Sequence, residues 1–304
     1  MRRALVVALA WVVLGAPAHA ETFAEPGPIM PALYVARDAD STMYLFGTVH
    51  VRRAGAPWGG ADAQAALAEA SEVWTEMEMS PEADAEAAAA VMTLGRAPPD
   101  QPLSSWLAPE EAAALAALMQ RLGMAPAAIE GLRPWLAAIT LSMAPMMQAG
   151  FDPMSGVDRA VVAAAVGEGK SMRAFETAED QLNFMAALPE DVQRQMLREA
   201  IHESEAGPAQ LTMLTEAWER GDLAVLEAIV IQEMRTLYPE LYEVLFVRRN
   251  AAWAEVLAEE LAGEGVDFVA VGAGHLLGED GLVALLQARG YSVERVAEPS
   301  PVAD

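Results

Sequence analysis

Strand-like apolar runs cluster at both ends of this 304-residue chain, and an alanine-rich stretch with helical spacing fills the middle. That layout predicts an α+β protein: a mixed sheet built from N- and C-terminal strands, covered by helices, with a long helical insertion at about residues 81–264. A further observation places a site on the sheet. Residues 43–50 read Met-Tyr-Leu-Phe-Gly-Thr-Val-His and residues 268–275 read Phe-Val-Ala-Val-Gly-Ala-Gly-His. Each is an apolar run that ends in Gly-x-x-His, and together they hold two of the four histidines, His50 and His275. Sites in such sheets form at the carboxyl ends of strands. If the two strands run parallel and close together, both imidazoles face one cleft.

Taken in order, residues 1–20 have the form of a secretory signal peptide. Arg2 and Arg3 precede an apolar stretch too short to span a bilayer, and Ala18-His19-Ala20 supplies a cleavage site after Ala20. The mature domain, residues 21–296, is therefore expected to be periplasmic or secreted. Residues 32–37 and 42–46 are β-type runs joined by Asp38-Ala39-Asp40-Ser41, a polar linker that reads as a hairpin turn. A loop with Gly55, Pro57, Gly59 and Gly60 leads to a helix over 61–70 and a third strand over 72–79. Helices then dominate, broken near residues 95–102, 123–126, 133–134 and 150–156, with a short strand at 171–175. Residues 266–271 form a buried strand, 281–289 an amphipathic helix and 291–296 a last strand, and the tail 297–304 is expected to be disordered.

Composition excludes several classes. Without cysteine there is no disulfide framework, thiolate metal site or thiol nucleophile. A formal charge of −25 argues against nucleic-acid binding, which needs a basic footprint. No stretch after the signal is long and apolar enough for a transmembrane anchor. The substrate, a peptide or small molecule, and the oligomeric state are left open by the residues.

Two imidazoles need a third ligand, usually a carboxylate, to make an open metal site. The third strand, Val73-Trp74-Thr75-Glu76-Met77-Glu78-Met79, puts Trp74, Glu76 and Glu78 on one face by alternation. Two readings stand: an edge strand with a solvated face, or a carboxylate beside the histidines with the second acid orienting it. Arg249 and Asn250 precede a helix that ends near Gly263; in an acidic cleft Arg249 could bind a substrate carboxylate or stabilise an oxyanion, with Asn250 beside it. Glu176 reads equally well as a helix-start acid and as a site residue. Asp158 has the look of an ordinary first-turn acid, and His202 that of an exposed helical residue. Gly272-Ala-Gly-His-Leu-Leu-Gly278 does not keep dinucleotide spacing, so its glycines serve a sharp turn beside His275.

These pieces, in this order, resemble the TraB/PrgY/GumN family, and within it the exported GumN-type proteins. The motifs are Leu-Phe-Gly-Thr-Val-His50, Val-Trp-Thr-Glu76, Gly156-Val-Asp158, Phe-Glu176-Thr-Ala-Glu-Asp-Gln, Ala217-Trp-Glu-Arg-Gly-Asp222, Arg249-Asn250-Ala-Ala-Trp253 and Val-Gly272-Ala-Gly-His275-Leu-Leu-Gly278. The resemblance spans nearly all of the mature chain. It implies a relation to the Tiki metalloproteases and a broader fold shared with erythromycin esterases and a haem-binding lipoprotein group. Relatives often have Glu-x-Asp where this chain has Glu76-Met77-Glu78.

The reading that combines residues and resemblance is a metal-dependent, peptidase-like hydrolase. A divalent ion (Mn, Co or Zn) would sit on His50, His275 and Glu76, with Glu76, Glu78 and Arg249 as catalytic groups and Arg249 and Asn250 as substrate contacts. The alternatives are a non-catalytic binding protein for a peptide, haem or metal, and a metal-free esterase with His50 as base and Glu76 as its orienter. A serine hydrolase is disfavoured because no Gly-x-Ser-x-Gly elbow occurs.

Overall fold

The computed structural model describes residues 29–296 with the exception of Glu205. The expected signal peptide and C-terminal tail lie outside the described residues. The strands are β1 (Leu33–Arg37), β2 (Ser41–Thr48), β3 (Arg52–Arg53), β4 (Glu72–Met77), β5 (Phe151–Asp152), β6 (Ser171–Glu176), β7 (Gly265–Gly272) and β8 (Ser292–Arg295). Six of them form one mixed sheet in the order β6-β4-β7-β2-β1-β8, so the fold is α+β. β6, β4, β7 and β2 are mutually parallel, and β1 runs against both β2 and β8. β3 and β5 make a separate two-stranded ribbon that the glycine- and proline-rich loop did not announce.

The hairpin forms where its linker predicts. Asp38 Oδ1 accepts from the backbone N–H groups of Asp40 and Ser41, giving the turn its hydrogen bonds locally. β2 and β7 lie side by side from Ser41↔Gly265 to Thr48↔Gly272, so both Gly-x-x-His motifs leave the same edge of the sheet. β7 is a near-continuous buried run because helices cover both faces. Phe268 and Ala270 join the larger core and Val269 and Val271 the smaller, as alternation requires.

The helices in chain order are α1 (Ala61–Glu69), α2 (Pro81–Leu94), α3 (Pro109–Leu122), α4 (Pro134–Gln148), α5 (Val157–Gly167), α6 (Ala178–Ala186), α7 (Glu190–Glu203), α8 (Gly207–Glu219), α9 (Leu223–Leu226), α10 (Glu233–Leu237), α11 (Pro239–Tyr242), α12 (Arg248–Leu261) and α13 (Leu282–Ala288). Two π-helical segments interrupt the run, at Glu227–Gln232 and Glu243–Val247. α12 and α13 cover the smaller core through Trp253, Leu257, Leu282 and Leu286. The larger core draws on α4 and α8, where Trp135 and Trp218 are fully buried. No helix among the described residues is long and apolar enough to cross a membrane.

One strand ends earlier than its residues suggest. β4 stops at Met77 rather than running to residue 79. Ser80 caps α2 by accepting from the Ala83 N–H, and Pro81 starts the helix, so the chain turns away at Glu78. Glu78 therefore leaves the strand face it was expected to share with Glu76.

Candidate functional site

Four strands deliver acids and bases to one edge. β2 ends two residues before His50, β7 ends three residues before His275, Glu76 is the penultimate residue of β4, and Glu176 is the last of β6. His50 Nε2 and His275 Nε2 each lie 3.8 Å from Glu76 Oε1. The two nitrogens are thus at most twice that distance apart, and the two motifs converge on one carboxylate.

Each imidazole is held through its other nitrogen. His50 Nδ1 is 2.6 Å from Asp158 Oδ2, and Thr48 Oγ1 donates to Asp158 Oδ1. His275 Nδ1 meets Asn250 Oδ1, and Asn250 Nδ2 donates to the Asp280 carbonyl at 2.7 Å. That second bond fixes the amide so that its oxygen faces the ring, and His275 must donate through Nδ1–H. Both rings therefore turn Nε2 toward Glu76, and His275 Nε2, left as an acceptor, also faces the Arg249 Nη1 donor.

Local chemistry explains how Asp158 arrives. Gly156 has no side chain, and a Cβ there would stand 2.5 Å from the His50 carbonyl oxygen. That close approach lets the Val157 N–H donate to the Val49 carbonyl at 2.8 Å, docking the first turn of α5 against the His50 loop. Asp158 is then 3 % exposed and directed inward, not solvated on a first turn.

Arg249, on the first turn of α12, is the hub. Its Nη2 donates to Glu76 Oε2 at 2.7 Å and to Glu176 Oε2 at 2.8 Å, and its Nε donates to Glu176 Oε1 at 2.8 Å. Its Nη1 is 3.3 Å from His275 Nε2. Trp253 donates its indole N–H to Glu176 Oε1 at 3.0 Å and places its ring 4.5 Å from that of His275. Glu76 Oε1 also accepts the Gly272 N–H at 2.7 Å. His275 is fully buried, whereas the His50 side chain is 18 % exposed, so His50 is the member nearer solvent.

The fields follow from this packing. Burial pushes the His50 imidazole down, but the Asp158 carboxylate outweighs it and the net shift is upward. Burial raises Asp158, and His50 reverses that to hold it below the usual range. Burial raises Glu76, and Arg249 and His50 pull it only part of the way back. Burial and then Arg249 hold His275 well below the usual histidine range, so it stays neutral.

Of the residues expected at the site, the structure brings His50, His275, Glu76, Arg249 and Asn250 together. Glu78 does not join them: it is exposed and its carboxylate accepts from Ser80 Oγ at 2.9 Å. Arg249 and Asn250 are 4 % and 1 % exposed, and their polar atoms are directed at Glu76, Glu176 and His275 rather than at an open cleft. Asp158 and Glu176 complete the arrangement; in the sequence Asp158 reads as an ordinary first-turn acid and Glu176 equally well as a helix-start acid and as a site residue. The signal that could have found them is their place within the Gly156-Val-Asp158 and Phe175-Glu176-Thr177 motifs.

Donor type and tautomer fit a divalent cation on His50, His275 and Glu76. The three ligand atoms do not all fall within 4.8 Å of one another, so an ion would have to draw the imidazoles inward.

The model of the TraB/PrgY/gumN family matches residues 32–295, and the chain belongs to that family. "Uncharacterized protein YbaP" of Escherichia coli (strain K12) is 26 % identical over 195 residues, covering 62 % of this chain and 70 % of that protein. The protein of the same description from Shigella flexneri matches with the same identity and coverage. No solved structure matches the chain.

Proposed function

We propose, with family membership as the premise, that this chain is a metal-dependent hydrolase of peptide-like substrates. His50, His275 and Glu76 would hold the ion, one of Mn, Co or Zn. The observation that carries the reading is the paired Nδ1 anchoring, by Asp158 and Asn250, which aims both Nε2 atoms at one carboxylate. When bound, a divalent ion lowers the pKa of a water ligand and polarises a substrate carbonyl.

The chain's own residues supply the rest. Asp158 and Asn250 orient the two rings. Arg249 holds Glu76 in place and keeps the Glu76 and Glu176 carboxylates from facing one another uncompensated. With His50 neutral, Asp158, Glu76 and Glu176 against one guanidinium leave two negative charges, the deficit a divalent cation fills. Trp253 and Phe246 pack on His275 and keep water from that side.

Export to the periplasm or the medium is part of the same proposal and is supported by the N-terminal segment. The finer likeness to Tiki metalloproteases and erythromycin esterases is supported by the sequence motifs alone. A second reading, a metal-free esterase, is favoured by the 2.6 Å contact of His50 with Asp158, which would make Asp158 the orienter of a general base.

The experiment is a digest of a broad peptide and ester panel after dialysis against a chelator, with Mn, Co or Zn added back. Cleavage that vanishes with the chelator and returns with the ion supports the metallohydrolase. Ester cleavage that survives the chelator supports the second reading. Folded protein that cleaves nothing at saturating ion leaves a binding protein on the same cleft.

A further inference from the structure

An apolar cavity of about 70 Å³ opens beside the site. Thr48–Val51 and Gly272–Gly274, in the segments that carry both histidines, line one part of it. Its walls are Leu211 and Leu214 of α8, Leu226 of α9, Val230, Met234 of α10, and Phe246.

Two features mark it as built rather than left over. Val230 and Phe246 lie in the two π-helical segments, Glu227–Gln232 and Glu243–Val247. Such segments are rare and are frequently found at functional sites. Both residues also close on Gly274: a Cβ there would stand 2.8 Å from Phe246 Cε1 and 3.0 Å from Val230 Cγ1. The second Gly-x-x-His motif therefore carries an extra glycine where the pocket wall meets the His275 turn. Phe246 spans the two, with its ring 4.9 Å from that of His275.

We propose that this cavity is the specificity pocket of the site and takes an aliphatic side chain, of valine to leucine or methionine size, next to the reacting carbonyl. The proposal rests on the peptide-like substrate read above. Size and lining decide the class. An apolar cavity of ~150 Å³ holds benzene, so a space about half as large suits a branched aliphatic group and not an aromatic ring. The hydroxyls at its edge are already engaged, Thr48 with Asp158 and Thr215 with the Leu211 carbonyl, and apart from His50 the rest of the lining is apolar, with no carboxylate for a cationic side chain.

Met234 offers a local reporter. The full chain, labelled with ¹³C at its methionine methyl groups, is titrated with capped tetrapeptides Ac-Ala-Ala-Xaa-Ala-NH₂, where Xaa is Leu, Gly, Phe or Lys. A Met234→Leu variant assigns the signal. The Leu peptide is expected to shift the Met234 methyl saturably and to bind about tenfold more tightly than the Gly peptide. Phe and Lys peptides are expected to leave that signal in place. Val230→Phe and Thr215→Leu, both at half-buried positions, fill the cavity and are expected to remove the Leu preference while the fold, followed by circular dichroism, is kept. Equal binding of Leu and Gly peptides, or a Leu preference that survives in both folded variants, overturns the proposal. Leucine-selective binding without hydrolysis would overturn only the metallohydrolase, and hydrolysis without side-chain preference would overturn only the pocket.

Discussion

At the carboxyl edge of the sheet, Glu76, Asp158 and Glu176 each meet a designated partner: Arg249, His50 and Thr48, or Arg249 with Trp253. At the amino edge, Glu72, Asp267 and Glu260 bring carboxylate oxygens within 4.8 Å of one another with far less to answer them. Glu72 takes a hydroxyl from Ser171 at 2.9 Å and an ion pair with Arg173 at 3.2 Å, whose side chain is 55 % exposed. Burial, then Glu260 and Glu72, push Asp267 up to about 6. Each edge gathers three acids, two from strands and one from a helix: Glu76 and Glu176 with Asp158 of α5 at one, Glu72 and Asp267 with Glu260 of α12 at the other. A cluster of acids is thus not what distinguishes a site; fixed tautomers and a buried, answered charge are.

The largest expected effect breaks that contrast directly. Arg249→Met leaves Glu76 and Glu176 buried without their guanidinium and is expected to cost about 3–5 kcal/mol in urea unfolding. Arg173→Met, at the amino edge, is expected to cost about 0–1 kcal/mol. Similar losses from the two variants would mean that Arg249 does not organise the carboxyl edge.

Next in size is the anchoring of His50. Asp158→Asn keeps the shape and removes the charge that offsets burial, so the His50 imidazole should titrate lower, as NMR of the ring protons can follow. Affinity for Mn, Co or Zn is expected to fall about 10–100-fold, the usual cost of losing a ligand's hydrogen-bond partner. Unchanged affinity, with His50 titrating as before, would remove Asp158 from the account. In the wild type His50 is raised above its ordinary value, and a protonated ring cannot ligate. Metal uptake should therefore fall with decreasing pH starting above about 6.5, earlier than for an unperturbed histidine.

How much of this was legible follows from which residues look different in sequence. Gly-x-x-His at the end of an apolar run is unusual twice over, so the convergence of His50 and His275 could be read from spacing alone. Glu76 was legible because an acid inside Val-Trp-Thr-Glu-Met breaks a buried strand's pattern. Asp158 was not, since an acid in the first turn of a helix is ordinary capping chemistry, and Glu176 was legible only as one of two readings, because an acid just before a helix serves the same chemistry. Arg249 and Asn250 stood out, but only the fold shows that their polar atoms face inward to carboxylates and a ring. The π segments were hidden because Leu-Ala-Val-Leu-Glu-Ala-Ile-Val-Ile-Gln reads as a plain helix. The six-stranded order was hidden too, because β6 lies inside the helical stretch yet pairs with β4.

The smallest expected effect sharpens the amino-edge half of the comparison. Asp267 has a folded pKa above its unfolded value, so its folded form is favoured at low pH and that stability is lost as pH rises through about 6. Asp267→Asn is expected to stabilise the protein by on the order of 1 kcal/mol at pH 7 and to have little effect at pH 4. A destabilised variant at pH 7 would mean that the carboxylate is answered by something at that edge.

The most direct test of the central claim is calorimetric titration of chelator-stripped protein with Mn, Co and Zn, comparing wild type with Glu76→Gln and Glu78→Gln. The account predicts one ion per chain for wild type and for Glu78→Gln, with binding lost or weakened by at least about tenfold in Glu76→Gln. Binding that persists in Glu76→Gln but disappears in Glu78→Gln, or no binding by folded wild type to any of the three ions, would contradict it.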